Sequence, residues 1–202
     1  MLLYQDPQAP NPRRVRVFVA EKGLTLHTVD VLLINNANLA PSYLAKHPLG
    51  LLPILELDDG RVLRESIAIC RYLEELHPSP NLFGNDTWER ATIEQWTRHA
   101  ELELLSPLAQ VFRNSHKFWN GKIRQSLEFA SIMKDQALAR MAWIDGELAN
   151  REYIAGDRFS IADITAMCAI DFGRPSGIRI LDGQTNLKRW HDTMKARPSY
   201  KA

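Results

Sequence analysis

Two hydrophobic periods divide this chain. Through the first third, short apolar runs alternate with apolar positions at helical spacing; beyond that, helical spacing alone recurs. Leu2–Gln5 and residues 27–32 read as strands, separated by a helix over 12–22 that keeps Val15, Phe18 and Val19 on one face and stops at Gly23. A short helix over 41–46 follows. Residues 53–57 and 61–63, joined by Asp58-Asp59-Gly60, form a hairpin pattern, and a helix over 67–76 closes the region. Residues 77–85 carry Pro78, Pro80 and Gly84 with few apolar positions, the signature of a linker. Residues 87–114 and 126–150 are long helical patterns with no convincing strand, and Pro107 should kink the first of them. The expected organisation is α/β over 1–76, a linker over 77–86 and an all-α helical bundle over 87–202.

One local pattern has a clear folding role. Ser160-Ile161-Ala162-Asp163 places a carboxylate three residues after a hydroxyl, between Phe159 and Ile164, which is a capping box with a hydrophobic staple. Trp96, Trp143 and Trp190 sit among helix-spaced neighbours and are expected in the core.

Charge narrows the partners. The 25 basic and 24 acidic residues nearly cancel, so neither nucleic acid nor an anionic membrane is expected as a partner. Cys70 and Cys168 lie inside helical patterns and suggest no disulfide framework, which fits a reducing, cytoplasmic setting. The N-terminus turns polar at Gln5, too early for a signal peptide, and no apolar run approaches the ~20 residues a membrane span needs. No metal is implied.

The stretch from His47 to Ser66 reads as a binding site. Pro53 heads an apolar strand, where its missing N–H is tolerated. With a cis Leu52–Pro53 bond, Leu52 turns edge-on and offers its backbone N–H and C=O to an extended peptide. Glu65 and Ser66 would cap the following helix, whose positive N-terminal end attracts a carboxylate. A small, acidic, peptide-like ligand suits both halves.

A proline-led strand, a hairpin and Glu65-Ser66 at the head of the third helix resemble the glutathione-binding half of cytosolic glutathione transferases. The likeness extends to residues 11–23, 152–165 and 186–200, nearly the whole chain. It implies a thioredoxin-like N-terminal domain followed by a helical bundle, a homodimer, glutathione as co-substrate, and a small electrophilic or disulfide substrate. By the same resemblance, Leu52 and Pro53 meet the cysteinyl backbone, while Glu65 and Ser66 hold the γ-glutamyl end.

The turn before the first helix departs from that family. A serine, tyrosine or cysteine there usually serves the glutathione sulfur, and the serine or cysteine position of the theta-like classes falls on Ala9. Alanine has no donor. Asn11 is the substitute, because its NH2 donates and it stands before Pro12 at the expected N-cap; a plain capping role fits equally well. Tyr4 is a weaker alternative, since strand alternation should bury it. Ala9-Pro10-Asn11 also resembles the Thr-Pro-Asn turn of the bacterial nu class, known for glutathione-dependent disulfide reduction. Between the second strand and the short helix, where relatives place a cation for the glycine carboxylate, residues 33–38 carry none, and Asn38 is expected to hydrogen-bond that carboxylate with less charge assistance. Phe112, His116, Phe118 and Trp119 are candidates for the acceptor pocket. The leading expectation is a glutathione transferase that activates the thiol for attack on a small electrophile. Glutathione-dependent disulfide reduction, or a non-catalytic glutathione-binding module, are the alternatives.

Overall fold

Extended backbone forms where the short apolar runs stand. The computed structural model describes residues 1–202, and in it β1 (Leu2–Gln5), β2 (His27–Asp30), β3 (Ile54–Glu56) and β4 (Val62–Arg64) make one sheet in the order β2-β1-β3-β4. β2 runs parallel to β1, while β3 is antiparallel to β1 and β4 to β3. The parallel pair requires a crossover, which α1 (Pro10–Glu21) supplies. After α2 (Pro41–Leu44) and the hairpin comes α3 (Ser66–Leu76), which packs on α1. Apolar positions decide the faces. Leu3 and Leu55 pair across the sheet and are buried with Val15, Phe18, Ile69 and Leu73, whereas Tyr4 lies with Val31, Tyr43 and Ile54.

Several boundaries differ from the sequence pattern. α1 begins at Pro10, two residues early, because the fixed φ of proline suits the first helical position and Ala9 is still extended at φ −84° and ψ 140°. α2 ends at Leu44 and β2 at Asp30. α1 stops where Gly23 takes φ +63°, which a side chain would resist.

The chain divides into two compact units, Met1–Asn81 with Lys201–Ala202, and Leu82–Tyr200. In the first, Lys22 is buried and ties the end of α3 down: its Nζ meets Glu74 at 2.5 Å and donates to the His77 and Pro80 carbonyls at 2.7 and 2.5 Å. In the second, the expected 87–114 helix is three pieces: α4 (Thr87–Arg98), a π-helical segment (His99–Leu105) and α5 (Ser106–Ser115). The widened turns lie just before Pro107, which cannot donate an N–H and would clash with the carbonyl four residues back. α6 (Leu127–Glu147), α7 (Ile161–Phe172) and α8 (Thr185–Ala196) complete the unit.

α7 is its axis, with every residue from Ile161 to Ile170 buried. The capping box forms as its residues require. Asp163, fully buried, accepts from Ser160 N–H at 2.9 Å, Ile154 N–H at 2.8 Å and Trp190 Nε1 at 2.9 Å. Trp96 and Trp190 are buried as expected, Trp143 is only half-buried although it stacks on Trp96 at 5.2 Å, and Trp88 is 82% exposed. No helix is long and apolar enough to cross a membrane.

Candidate functional site

Sheet register gathers the candidate residues at one end of the first unit. Tyr4, Ile54 and Arg64 form one rung across β1, β3 and β4. Two residues beyond that rung on each strand stand Asp6, Leu52 and Ser66. The turn after β1, the proline loop before β3 and the head of α3 therefore share an edge.

Asp6 shapes the first of these. Its side chain accepts from Gln8 N–H and Leu33 N–H, both at 2.8 Å, and its carbonyl accepts from Ala9 N–H at 3.1 Å, an Asx-type turn that aims the chain into α1. Nothing in the sequence reading singled Asp6 out, although an aspartate two residues before a glutamine in a Pro-rich turn carries that signal.

Asn11 is consequently the second residue of α1, within its first turn, not at the N-cap as expected; the cap residue is Ala9, with no side-chain bond. Capping is thus removed from the roles open to Asn11. Its Oδ1 is buried without a hydrogen-bond partner. No acidic residue occupies the first turn of α1, so the helix end keeps its positive potential. Tyr4 is half-buried rather than buried, and its hydroxyl donates to Glu56 at 2.6 Å. That hydrogen bond raises the Tyr4 pKa, with burial adding to the effect. Lys46 completes the group at 2.7 Å from Glu56.

At the second element, the Leu52–Pro53 peptide is cis. Leu52 precedes β3, and its N–H and C=O make no backbone hydrogen bond within the chain. His47 is buried beneath this loop and accepts from Leu49 N–H at 3.3 Å; burial, then the Arg64 charge, lowers its pKa. Asn38 is not free for a ligand, because its Nδ2 donates to the Gly50 carbonyl at 2.9 Å and staples the loop.

The third element corrects another expectation. Glu65 and Ser66 do not cap α3 through their side chains: Ser66 is its first residue and Glu65 the N-cap, with no side-chain bond. The Ser66 hydroxyl instead accepts from Arg14 Nη1 at 2.7 Å, and Arg14 is fully buried. A guanidinium under a helix N-terminus reinforces its attraction for an anion. Glu65 holds φ at +68° and ψ at 119°, a conformation that costs a non-glycine residue about 1–3 kcal/mol and clusters at ligand sites. Arg14 follows Asn11 by three positions, so the two are neighbours on α1, and Arg14 links that face to Ser66.

In the helical unit, Phe112 stacks on His116 at 4.5 Å and lies 6.1 Å from Phe118, which meets Trp119 edge-on at 5.0 Å. These four form one aromatic cluster of that unit. No group of side chains suited to a metal ion is present.

Residues 9–76 match the model for the N-terminal domain of glutathione S-transferases, and residues 124–198 match that for the C-terminal domain. Glutathione S-transferase 2 of Saccharomyces cerevisiae is 35% identical over 206 residues, spanning 100% of this chain and 88% of the relative. Maleylacetoacetate isomerase of Pseudomonas aeruginosa is 28% identical over 203 residues, spanning 100% of this chain and 94% of the relative. Among solved structures, Gtt2 from Saccharomyces cerevisiae superposes with a TM-score of 0.94 at 34% identity, covering 100% of this chain and 99% of that one.

Proposed function

Since this chain belongs to the glutathione S-transferase family, we propose that it binds glutathione along the edge formed by Asn11, Leu52, Pro53, Glu65 and Ser66 and activates its thiol for attack on a small electrophile. The observation that carries this reading is the buried Arg14 donating to Ser66 at the head of α3. The α-carboxylate of the γ-glutamyl end meets the Ser66 N–H and hydroxyl in the field of Arg14, and Glu65 offers a carboxylate to the neighbouring ammonium. Leu52 exchanges backbone hydrogen bonds with the cysteinyl residue.

The sulfur then comes to the N-terminal end of α1. There the Asn11 amide and the helix N–H groups favour the thiolate over the thiol. The thiolate attacks the electrophilic carbon, a carbon–sulfur bond forms, and the leaving group departs with the displaced electron pair. Asn38 lends no cation to the glycine carboxylate, so that end is held with less charge assistance. The same thiolate can attack a small disulfide, forming a mixed disulfide with glutathione and releasing the other half as a thiolate; the nu-like Ala9-Pro10-Asn11 turn favours this second reading. A mixed disulfide with the enzyme is not part of it, because Cys70 and Cys168 are both buried. We place the protein in the cytoplasm as a homodimer.

Calorimetry with glutathione tests the site. Wild type should bind, and Ser66→Ala should bind more weakly by about 1–3 kcal/mol, the cost of a lost hydrogen bond to a charged group. Wild-type protein that takes up no glutathione at millimolar concentration removes the assignment. Parallel assays with a chlorinated dinitroarene and hydroxyethyl disulfide, each with glutathione, separate transfer from disulfide reduction.

A further inference from the structure

We infer that the helical unit carries a second, independent binding site, for a small carboxylate with an apolar body, in the cleft between the C-terminal end of α7 and α8. The cleft measures about 220 Å³, equivalent to roughly seven waters at ~30 Å³ each. Its ligand is therefore small. Ile170, Ile180 and Leu181 give it an apolar wall, and Leu181 stands 55% exposed there.

Around that wall the side chains are mostly cationic: Arg174, Arg179, Lys188 and Lys195, with His191 among them. They are not equally available. Asp171 Oδ1 holds Arg174 Nη2 at 3.1 Å and the buried His191 Nε2 at 3.0 Å. Asp192 holds Lys195 at 3.1 Å and Lys188 at 3.6 Å. Those two carboxylates fix four of the nitrogens and set the walls of the cleft. Arg179 alone among the cations has no carboxylate within 4.0 Å, and Asp182 on the same rim has no cation at that distance.

The unpaired Arg179 is the group that fits an anion, and the unpaired Asp182 on the same rim opposes any further negative charge on it. A single unpaired guanidinium offers a planar fork that matches one carboxylate bidentately. The other cations already have partners, so a polyanion would gain little over a monoanion. The apolar wall beside the fork suits an aryl or alkyl body and would leave a bare inorganic anion unsatisfied on that side. Every lining residue belongs to the helical unit, and none is part of the thiol site. The inference stands whether or not glutathione is the thiol substrate.

A two-dimensional ¹⁵N NMR titration of the full chain with benzoate, benzamide and inorganic phosphate tests it. Benzoate should give saturable shifts confined to residues 170–195, with a dissociation constant on the order of 1 mM. Benzamide, which lacks the charge, should bind about tenfold more weakly, as should benzoate to Arg179→Gln. Leu181→Asn should weaken benzoate about threefold by removing apolar contact. Both positions are exposed, so the variants should fold, and wild-type-like spectra away from the cleft will check that. The proposal is overturned if benzoate shifts do not saturate in the millimolar range, if benzamide matches benzoate, or if Arg179→Gln binds normally. Phosphate binding as tight as benzoate would overturn the apolar part of the assignment.

Discussion

Asn11 has a side-chain amide whose Oδ1 is buried and makes no hydrogen bond. The two ends of an amide exchange by a half-turn, so the same position can present the NH2 group to a thiolate. An unmet polar atom costs stability unless a ligand supplies the partner. Asn11→Ala should therefore raise the pKa of enzyme-bound glutathione and lower turnover by about 10–100-fold, corresponding to roughly 1.4–2.8 kcal/mol. Tyr4→Phe should leave that titration in place, because the Tyr4 hydroxyl is engaged by Glu56. Thiolate absorbance against pH decides between them: an Asn11 variant that titrates like wild type, with Tyr4→Phe shifted upward, transfers the role to Tyr4. At this scale the sequence was informative about what was missing. Ala9 shows directly that the usual hydroxyl or thiol is absent, and Leu52, Pro53, Glu65 and Ser66 could be named from local motifs. Arg14 could be named only as positive charge behind the first helix; its tie to Ser66, 52 positions away, gives no local signal. On the sequence it was one of three arginines at the start of a helix.

Among the elements, α7 shows how closely capping chemistry and folding are joined. Both oxygens of Asp163 accept hydrogen bonds, yet burial dominates and pushes its pKa up to about 6. The unfolded carboxyl keeps its ordinary value near 3.8, so between these two pH values the folded state binds the proton more tightly. The contribution of Asp163 to stability is therefore greatest at low pH and falls as pH rises toward 6. At about 1.4 kcal/mol per unit, lowering the pH from 7 to 5 should stabilise wild type by on the order of 1 kcal/mol relative to Asp163→Asn. At pH 7 the asparagine variant should itself be less stable by about 1–3 kcal/mol, since its NH2 cannot accept from Ser160 N–H. Urea denaturation followed by tryptophan fluorescence at both pH values checks this. Parallel pH dependence in the two proteins would exclude Asp163 as the titrating group. This box was legible because all its parts lie within four residues. The start of α1 was misplaced by two residues because Pro10 and Pro12 both satisfy the rule for a first helical position, and only the Asp6 turn decides between them. The π-helical segment was foreseen as a kink at Pro107, but not in its form.

For the molecule as a whole, helical periodicity places a tryptophan on a helix but does not say whether protein or water covers it. Trp96 and Trp88 illustrate this, since they stand eight residues apart in one helical pattern, the first stacked on Trp143 and the second 82% exposed. Leu102, farther along the same stretch, is 58% exposed. Large apolar groups left in water on one continuous helical stretch are the raw material of an association surface. If the chain pairs through this stretch, its burial should approach the ~1,600 Å² of a standard interface, and pairing should persist at micromolar concentration. Light scattering should then return twice the chain mass for wild type. Trp88→Glu with Leu102→Glu should shift the equilibrium toward the single-chain mass, because each change puts a charge where apolar surface is meant to be covered. Unchanged far-ultraviolet circular dichroism would show that the variant still folds. A single-chain mass for wild type at micromolar concentration would rule out the homodimer, and a double variant that stays paired would move the interface away from this stretch.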